Sequence, residues 1–172
     1  MTGFTSTTYP YDPAVGHDLS KLEGAATGEL YAYWLAKKGD QPVPQWVDFQ
    51  FMDLYRIAPV MAVLDVDPSR DAGKLRYRFF GTKVVEYRRH RKYPDLTGKT
   101  FEEADRTYVA TAMHDAYSAC IRTARPVIMT GEYQTDQSWG FHERIILPWL
   151  IDGEVARLTN ALDRFPKNNA TP

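Results

Sequence analysis

The stretch LRYRFFG, residues 75–81, decides the fold class, because its apolar and basic residues alternate. Leu75, Tyr77 and Phe79 are separated by arginines, and this period of two is typical of a strand with one buried face. The apolar run at 61–66 precedes it, with turn-forming residues at 67–73 between them. We therefore predict a β-hairpin, with Tyr77 and Phe79 on the same face.

Segments on either side of this hairpin extend the prediction. Upstream, Thr27 is predicted to cap a short amphipathic helix that ends at Gly39. Downstream, Thr100 and Glu103 have the spacing of a capping box, and a helix is predicted at about 105–124. Three strands follow, at 127–134, 141–151 and 155–162, the last two joined by a tight turn at Asp152. The order predicts an α+β fold: a five-stranded antiparallel sheet with helices on one face and an N-terminal helical extension.

The length and composition are those of one globular domain. The chain has 172 residues, 44% of them hydrophobic, and a formal net charge of −1. We interpret 1–26 as a flexible arm, 27–165 as the domain and 166–172 as a polar tail. The near-neutral charge argues against a nucleic-acid or membrane partner. With no signal-peptide pattern and a single cysteine, a cytoplasmic location is expected.

Several motifs in this order resemble the PAS family, and in particular short standalone bacterial PAS proteins. The likeness covers about residues 29–164 and rests on these residues: Tyr33-Trp34, Pro44, Leu64-Asp65-Val66, YRFFGT at 77–82, Glu86-Tyr87, DLTG at 95–98, ILPW at 146–149 and Asp152-Gly153. The sequence departs from the family pattern at 88–94, which is longer and strongly basic. The resemblance implies a PAS-like fold and a non-catalytic sensor domain that acts through other proteins.

A ligand of such a domain would lie between the long helix and the inward residues of the sheet. The candidate contacts, with the inward face of 145–149 left open, are Tyr77, Phe79, Tyr87, Met113, Tyr117, Ile145, Leu147 and Trp149. The alternative is that these side chains pack together and leave no cavity.

Two further surfaces are candidate contacts. Arg88, Arg89 and Arg91 could bind an anion or an acidic partner, or could simply form a solvated loop. Tyr31, Trp34 and Leu35 offer a homodimer surface on the first helix, unless this helix packs on its own sheet. We expect a homodimer and a signalling protein partner.

Metal, cofactor and catalytic motifs are not evident in the sequence. The four histidines have no zinc-site spacing, His114 is better explained as a boundary residue than as a haem ligand, and Cys120 lacks a flavin motif. No nucleophile or phosphate-loop signature occurs. We expect no metal, haem or flavin. The alternatives to a sensor are a ligand-free interaction module and, less favoured, a small enzyme on a cone-shaped α+β fold.

Overall fold

The computed structural model describes residues 19–104, 108–134 and 138–167, and in these it forms one antiparallel sheet of five strands with helices. The strands are β1 (Met61–Asp65), β2 (Arg76–Phe80), β3 (Val127–Gln134), β4 (Trp139–Ile151) and β5 (Glu154–Lys167). The helices are α1 (Ala25–Lys38), α2 (Thr82–Tyr87), α3 (Phe101–Ala104) and α4 (Tyr108–Thr123), with short 3-10 turns between α1 and β1. The sheet order is β2-β1-β5-β4-β3. The prediction of an α+β chain with a five-stranded antiparallel sheet is confirmed.

The hairpin of β1 and β2 forms as predicted but contains an irregularity that changes its faces. Val63 pairs with Phe79 whereas Leu64 pairs with Tyr77, so Arg78 is an extra residue on β2. An inserted residue of this kind breaks the alternation of side chains along the strand. Tyr77 therefore packs in the core on one side of the sheet, and Phe79 packs on the other side. The prediction that these two residues share a face is wrong.

Helices cover both faces of the sheet, whereas we expected them on one face. Along β4, Ile146 belongs to the core that contains α4, while Ile145 and Leu147 belong to the core that contains α1. Neighbouring strand residues point to opposite faces, so the two cores lie on opposite sides of the sheet. The first core also contains residues of α2 and α3. The N-terminal segment is thus a second layer that covers the opposite face.

The first helix begins earlier than predicted, and carboxylates of the sheet fix its start. Gly24 rather than Thr27 is the N-cap residue, and as a glycine it has no side chain that could cap the helix. Instead the carboxylate of Glu143 accepts hydrogen bonds from the backbone N–H groups of Glu23 and Gly24, at 3.1 and 3.0 Å. The N–H of Thr27 donates to Asp163 at 2.8 Å. Such bonds satisfy the free donors at a helix start.

These contacts also correct the predicted boundaries of the domain. Leu19 and Leu22 pack against the α1 core, so residues 19–26 are not a flexible arm. At the other end β5 continues to Lys167, two residues into the predicted tail. The rest of the arm, 1–18, and of the tail, 168–172, lies outside the described residues.

The predicted capping box is confirmed at the start of α3. Thr100 donates to Glu103 through its backbone N–H at 2.7 Å, and the N–H of Glu103 donates back to the Thr100 hydroxyl at 3.3 Å. The predicted helix at 105–124 corresponds to α4, although 105–107 lie outside the described residues. None of the described helices has the length and apolar character needed to cross a membrane.

Candidate functional site

Polar side chains from β4 and β5 face the α4 side of the sheet, at the end of the strands away from the β4–β5 turn. In β4, His142 and Arg144 have the same orientation as Ile146, which lies in the α4 core. In β5, Arg164 pairs with His142 and Asn160 pairs with Ile146, so both share this face. We call the side chains of His142, Arg144, Asn160 and Arg164 the polar cluster.

A hydrogen-bonded chain connects the polar cluster to α4. The side-chain amide of Asn160 donates to the Tyr117 hydroxyl at 3.0 Å, and the Arg144 guanidinium donates to the amide oxygen of Asn160 at 3.2 Å. Tyr77 belongs to the same core as Tyr117, and each of the two side chains affects the pKa of the other. Burial raises the pKa of both tyrosines, while the positive charge of Arg144 acts in the opposite direction. Both phenols therefore remain neutral at physiological pH.

Two aromatic rings lie against the Arg164 guanidinium. Its central carbon lies 3.8 Å from the ring centroid of Tyr87 in α2 and 4.6 Å from that of Tyr133 in β3. Contacts of this type stabilise a cation through the negative faces of the rings. The pKa of Arg164 is nevertheless lowered by its burial. The contact with Tyr87 brings α2 over the same end of β5.

His142 is held neutral within this cluster. Its Nδ1 is buried and has no hydrogen-bond partner in the part of the chain that the structure describes. Burial lowers its pKa from 6.5 to about 4, and the positive charges of Arg144 and Arg164 contribute in the same direction. The ring lies against Gly131, where a Cβ atom would be only 2.9 Å from its Nε2. Glycine at 131 therefore gives the imidazole its space.

The structure brings together half of the predicted ligand contacts and separates the rest. Tyr77, Met113 and Tyr117 belong to the α4 core, and Tyr87 lies against Arg164 on the same side of the sheet. The other four lie in the α1 core on the opposite face: Phe79, Ile145, Leu147 and Trp149. They cannot contact a ligand held under α4, so their assignment to that site is wrong.

The polar cluster itself was not predicted from the sequence. The available signal was the alternation of His142, Arg144 and Ile146 with Glu143 and Ile145, which are all in one strand. This alternation does not show which residues face α4, because each of the two alternating sets contains an apolar and a charged residue. The position of α1 decides this, since it occupies the face of Glu143.

The predicted dimer surface is only partly available, because α1 packs on its own sheet. Trp34 is 2% exposed, and its indole N–H donates to the carbonyl oxygen of Pro148 at 2.8 Å. Trp34 is therefore not accessible to a second copy of the chain, and its prediction as a dimer contact is wrong. Tyr31 is half-buried beside it, with ring centroids 6.2 Å apart, and Leu35 remains 40% exposed.

The basic run borders the site rather than forming it. Arg88 follows α2, and its guanidinium lies 6.0 Å from the Phe80 ring and donates to the carbonyl oxygen of Tyr93 at 3.4 Å. Arg89 is exposed and Arg91 is half-buried. Arg88 is thus partly packed against the α4 core, whereas Arg89, His90 and Lys92 have the exposure expected of a solvated loop.

Cys120 and His114 have the environments of ordinary core and surface residues. Cys120 is buried, and burial raises the pKa of its thiol. His114 is about 43% exposed and lies 3.8 Å from Asp71 on the surface. Among residues 19–104, 108–134 and 138–167, no three His, Cys, Asp or Glu side chains are grouped so as to hold a metal ion.

Comparisons with known proteins give no family assignment. No protein-family model matches the chain, and no curated protein matches it in sequence.

Proposed function

We propose that this chain is a non-catalytic, PAS-like sensor domain that binds a small ligand between its sheet and α4. The observation that carries the proposal is the hydrogen-bonded chain from Tyr117 through Asn160 to Arg144, which lies among apolar side chains and Tyr77. Ligand sites combine apolar walls with a few converging polar groups, and this arrangement fits that description.

The order of elements supports the PAS-like part of the proposal. The chain has two strands, a helical middle and three strands, which is the order expected from the resemblance to PAS proteins. A sensor of this kind has no chemistry to perform, so a ligand would act by changing the populations of the conformations of the domain. The output would then pass to a protein partner.

A fragment screen with two matched variants tests the proposal. We expect some soluble small molecules to raise the melting temperature of the protein, because a ligand that binds only the folded state stabilises it. Met113→Trp enlarges a half-buried side chain of the α4 core, whereas Met52→Trp alters a residue that is 77% exposed. Fragments should lose their effect on the first variant and keep it on the second. A library without stabilising fragments, or hits insensitive to Met113→Trp, would contradict ligand binding at this site.

A ligand-free interaction module is the second candidate, and the 3-10 turns after α1 favour it. Val47, Met52 and Tyr55 are 81%, 77% and 65% exposed in this segment. Several exposed large apolar side chains in one short segment are a feature of contact surfaces. A triple substitution of these residues with serine should abolish partner capture if this module is the function, and should leave ligand binding unchanged if the sensor proposal is correct.

A further inference from the structure

The two arginines of the polar cluster lie on adjacent strands of the α4 face. Arg144 of β4 pairs with Leu162, and Arg164 of β5 pairs with His142, so the two positions are diagonal neighbours. Both side chains are half-buried. Diagonal neighbours on one face of a sheet lie within reach of long side chains, and both positive charges lower the pKa of His142.

Neither arginine is neutralised by a carboxylate in the described part of the chain. Arg144 has one hydrogen bond, to Asn160, and Arg164 has ring contacts but no hydrogen bond among the described residues. A guanidinium presents five N–H donors and does not lose its proton in proteins. Partial burial of two such groups without a counter-charge is costly, since buried charges are normally paired.

An anion placed between the two arginines would remove this cost. We propose that the ligand of the site is a small organic carboxylate, bound by the guanidinium groups of Arg144 and Arg164. The planar guanidinium matches a carboxylate through two parallel hydrogen bonds. Tyr87 and Tyr133, which are half-buried and lie against Arg164, and the half-buried Met113 supply aromatic and apolar surface for the organic part of the molecule. The inference rests on the proposed function, because it names the ligand class of the same site.

The experiment compares acids with their neutral amides. Phenylacetate and phenylacetamide, succinate and succinamide, and inorganic phosphate are titrated while the melting temperature is measured. The proteins are the wild type, Arg144→Gln, Arg164→Gln and Arg122→Gln, the last being an exposed arginine of α4 as a control for net charge.

We expect at least one acid to stabilise the wild type and Arg122→Gln more than its amide does. The apparent affinity should fall by about tenfold or more in Arg144→Gln and Arg164→Gln, the effect of losing a charge-assisted hydrogen bond. Acids and amides with equal effects, acids with no effect, or an acid effect unchanged in both variants would overturn the inference. Stronger stabilisation by phosphate than by either acid would overturn the carboxylate class. If either variant fails to fold, the acid-to-amide comparison on the wild type still decides.

The failure of this inference differs from the failure of the proposed function. If neutral fragments stabilise the protein and depend on Met113, while no acid exceeds its amide, the site binds ligands but not anions. If no fragment of any charge stabilises the protein, the proposed function itself is wrong.

Discussion

The side-chain amide of Asn160, in the middle of β5, donates a 3.0 Å hydrogen bond to the hydroxyl oxygen of Tyr117 in α4. Both residues are buried, so this bond joins the sheet to the helix through the interior. The amide oxygen of Asn160 also accepts a hydrogen bond from Arg144, so a single amide connects α4 to the Arg144 guanidinium. The proposed site depends on this relationship.

Removal of the Tyr117 hydroxyl should destabilise the fold. Tyr117→Phe leaves the N–H of Asn160 without its acceptor, and a buried donor without a partner costs about 1–3 kcal/mol. The free energy of unfolding, measured by urea denaturation, should fall by this amount. Tyr55→Phe, at a residue 65% exposed, is the control and should have little effect. Equal effects of the two substitutions would show that the hydroxyl of Tyr117 has no special role.

Neutralisation of Glu143 should loosen α1 on the sheet. Glu143→Gln keeps the size of the side chain but removes the charge that the start of α1 faces, so we expect a loss of roughly 1–2 kcal/mol in the free energy of unfolding. Glu132→Gln removes a charge from an exposed position of β3 and should change stability by less than about 0.5 kcal/mol. Urea denaturation followed by circular dichroism measures both. A loss no greater than that of the control would contradict the capping role.

The stability of the protein should fall with acid through His142. The folded-state pKa of about 4 lies below the ordinary value of 6.5, so between these pH values the unfolded chain binds more protons than the folded chain. The contribution of His142 to the free energy of unfolding is therefore largest above about pH 6.5. This contribution decreases by roughly 2 to 3 kcal/mol as the pH falls towards 4. Burial is the main cause, with Arg144 on the same strand and Arg164 on β5 adding to it.

Denaturation curves from pH 4 to 7 check this prediction on three proteins. His142→Gln should flatten the decrease, whereas His114→Gln, at a histidine whose side chain is 43% exposed, should retain it. A decrease of the same size in His142→Gln as in the wild type would assign the acid sensitivity to other groups.

Homodimer formation is expected to depend on Leu35, which remains exposed at the end of α1. Leu35→Glu places a charge on the exposed part of the predicted dimer surface without disturbing the buried Trp34. Light scattering should give the mass of a dimer for the parent and of a monomer for the variant. An unchanged mass would end the proposal that α1 forms the dimer interface.

Local patterns predicted the elements of this fold well. The strand predicted at 75–81, the capping box of Thr100 and Glu103, and the turn at Asp152 each depend on residues close in sequence, and each is present in the structure. The strands of the sheet can be predicted from the sequence because turn-forming residues mark their ends.

The faces of the strands could not be predicted, because they depend on contacts between distant residues. The extra residue at Arg78 separates Tyr77 from Phe79 although they are two positions apart. The start of α1 is fixed by Glu143 and Asp163, which are more than 115 residues away. Because α1 packs on the face of β4 that carries Glu143, His142 and Arg144 lie on the opposite face. The sequence alone does not contain this information, so the polar cluster could not be predicted.

Methyl resonances of the methionines offer the most direct test of a ligand site under α4. Four of the methionines lie in the described residues: Met113 and Met129 pack against the α4 core, Met61 lies in the α1 core and Met52 is exposed. A stabilising ligand titrated into protein with labelled methionine methyl groups should shift the signals of Met113 and Met129 and leave those of Met61 and Met52 in place. Shifts confined to Met61 or Met52, with Met113 and Met129 unchanged, would contradict the proposed site.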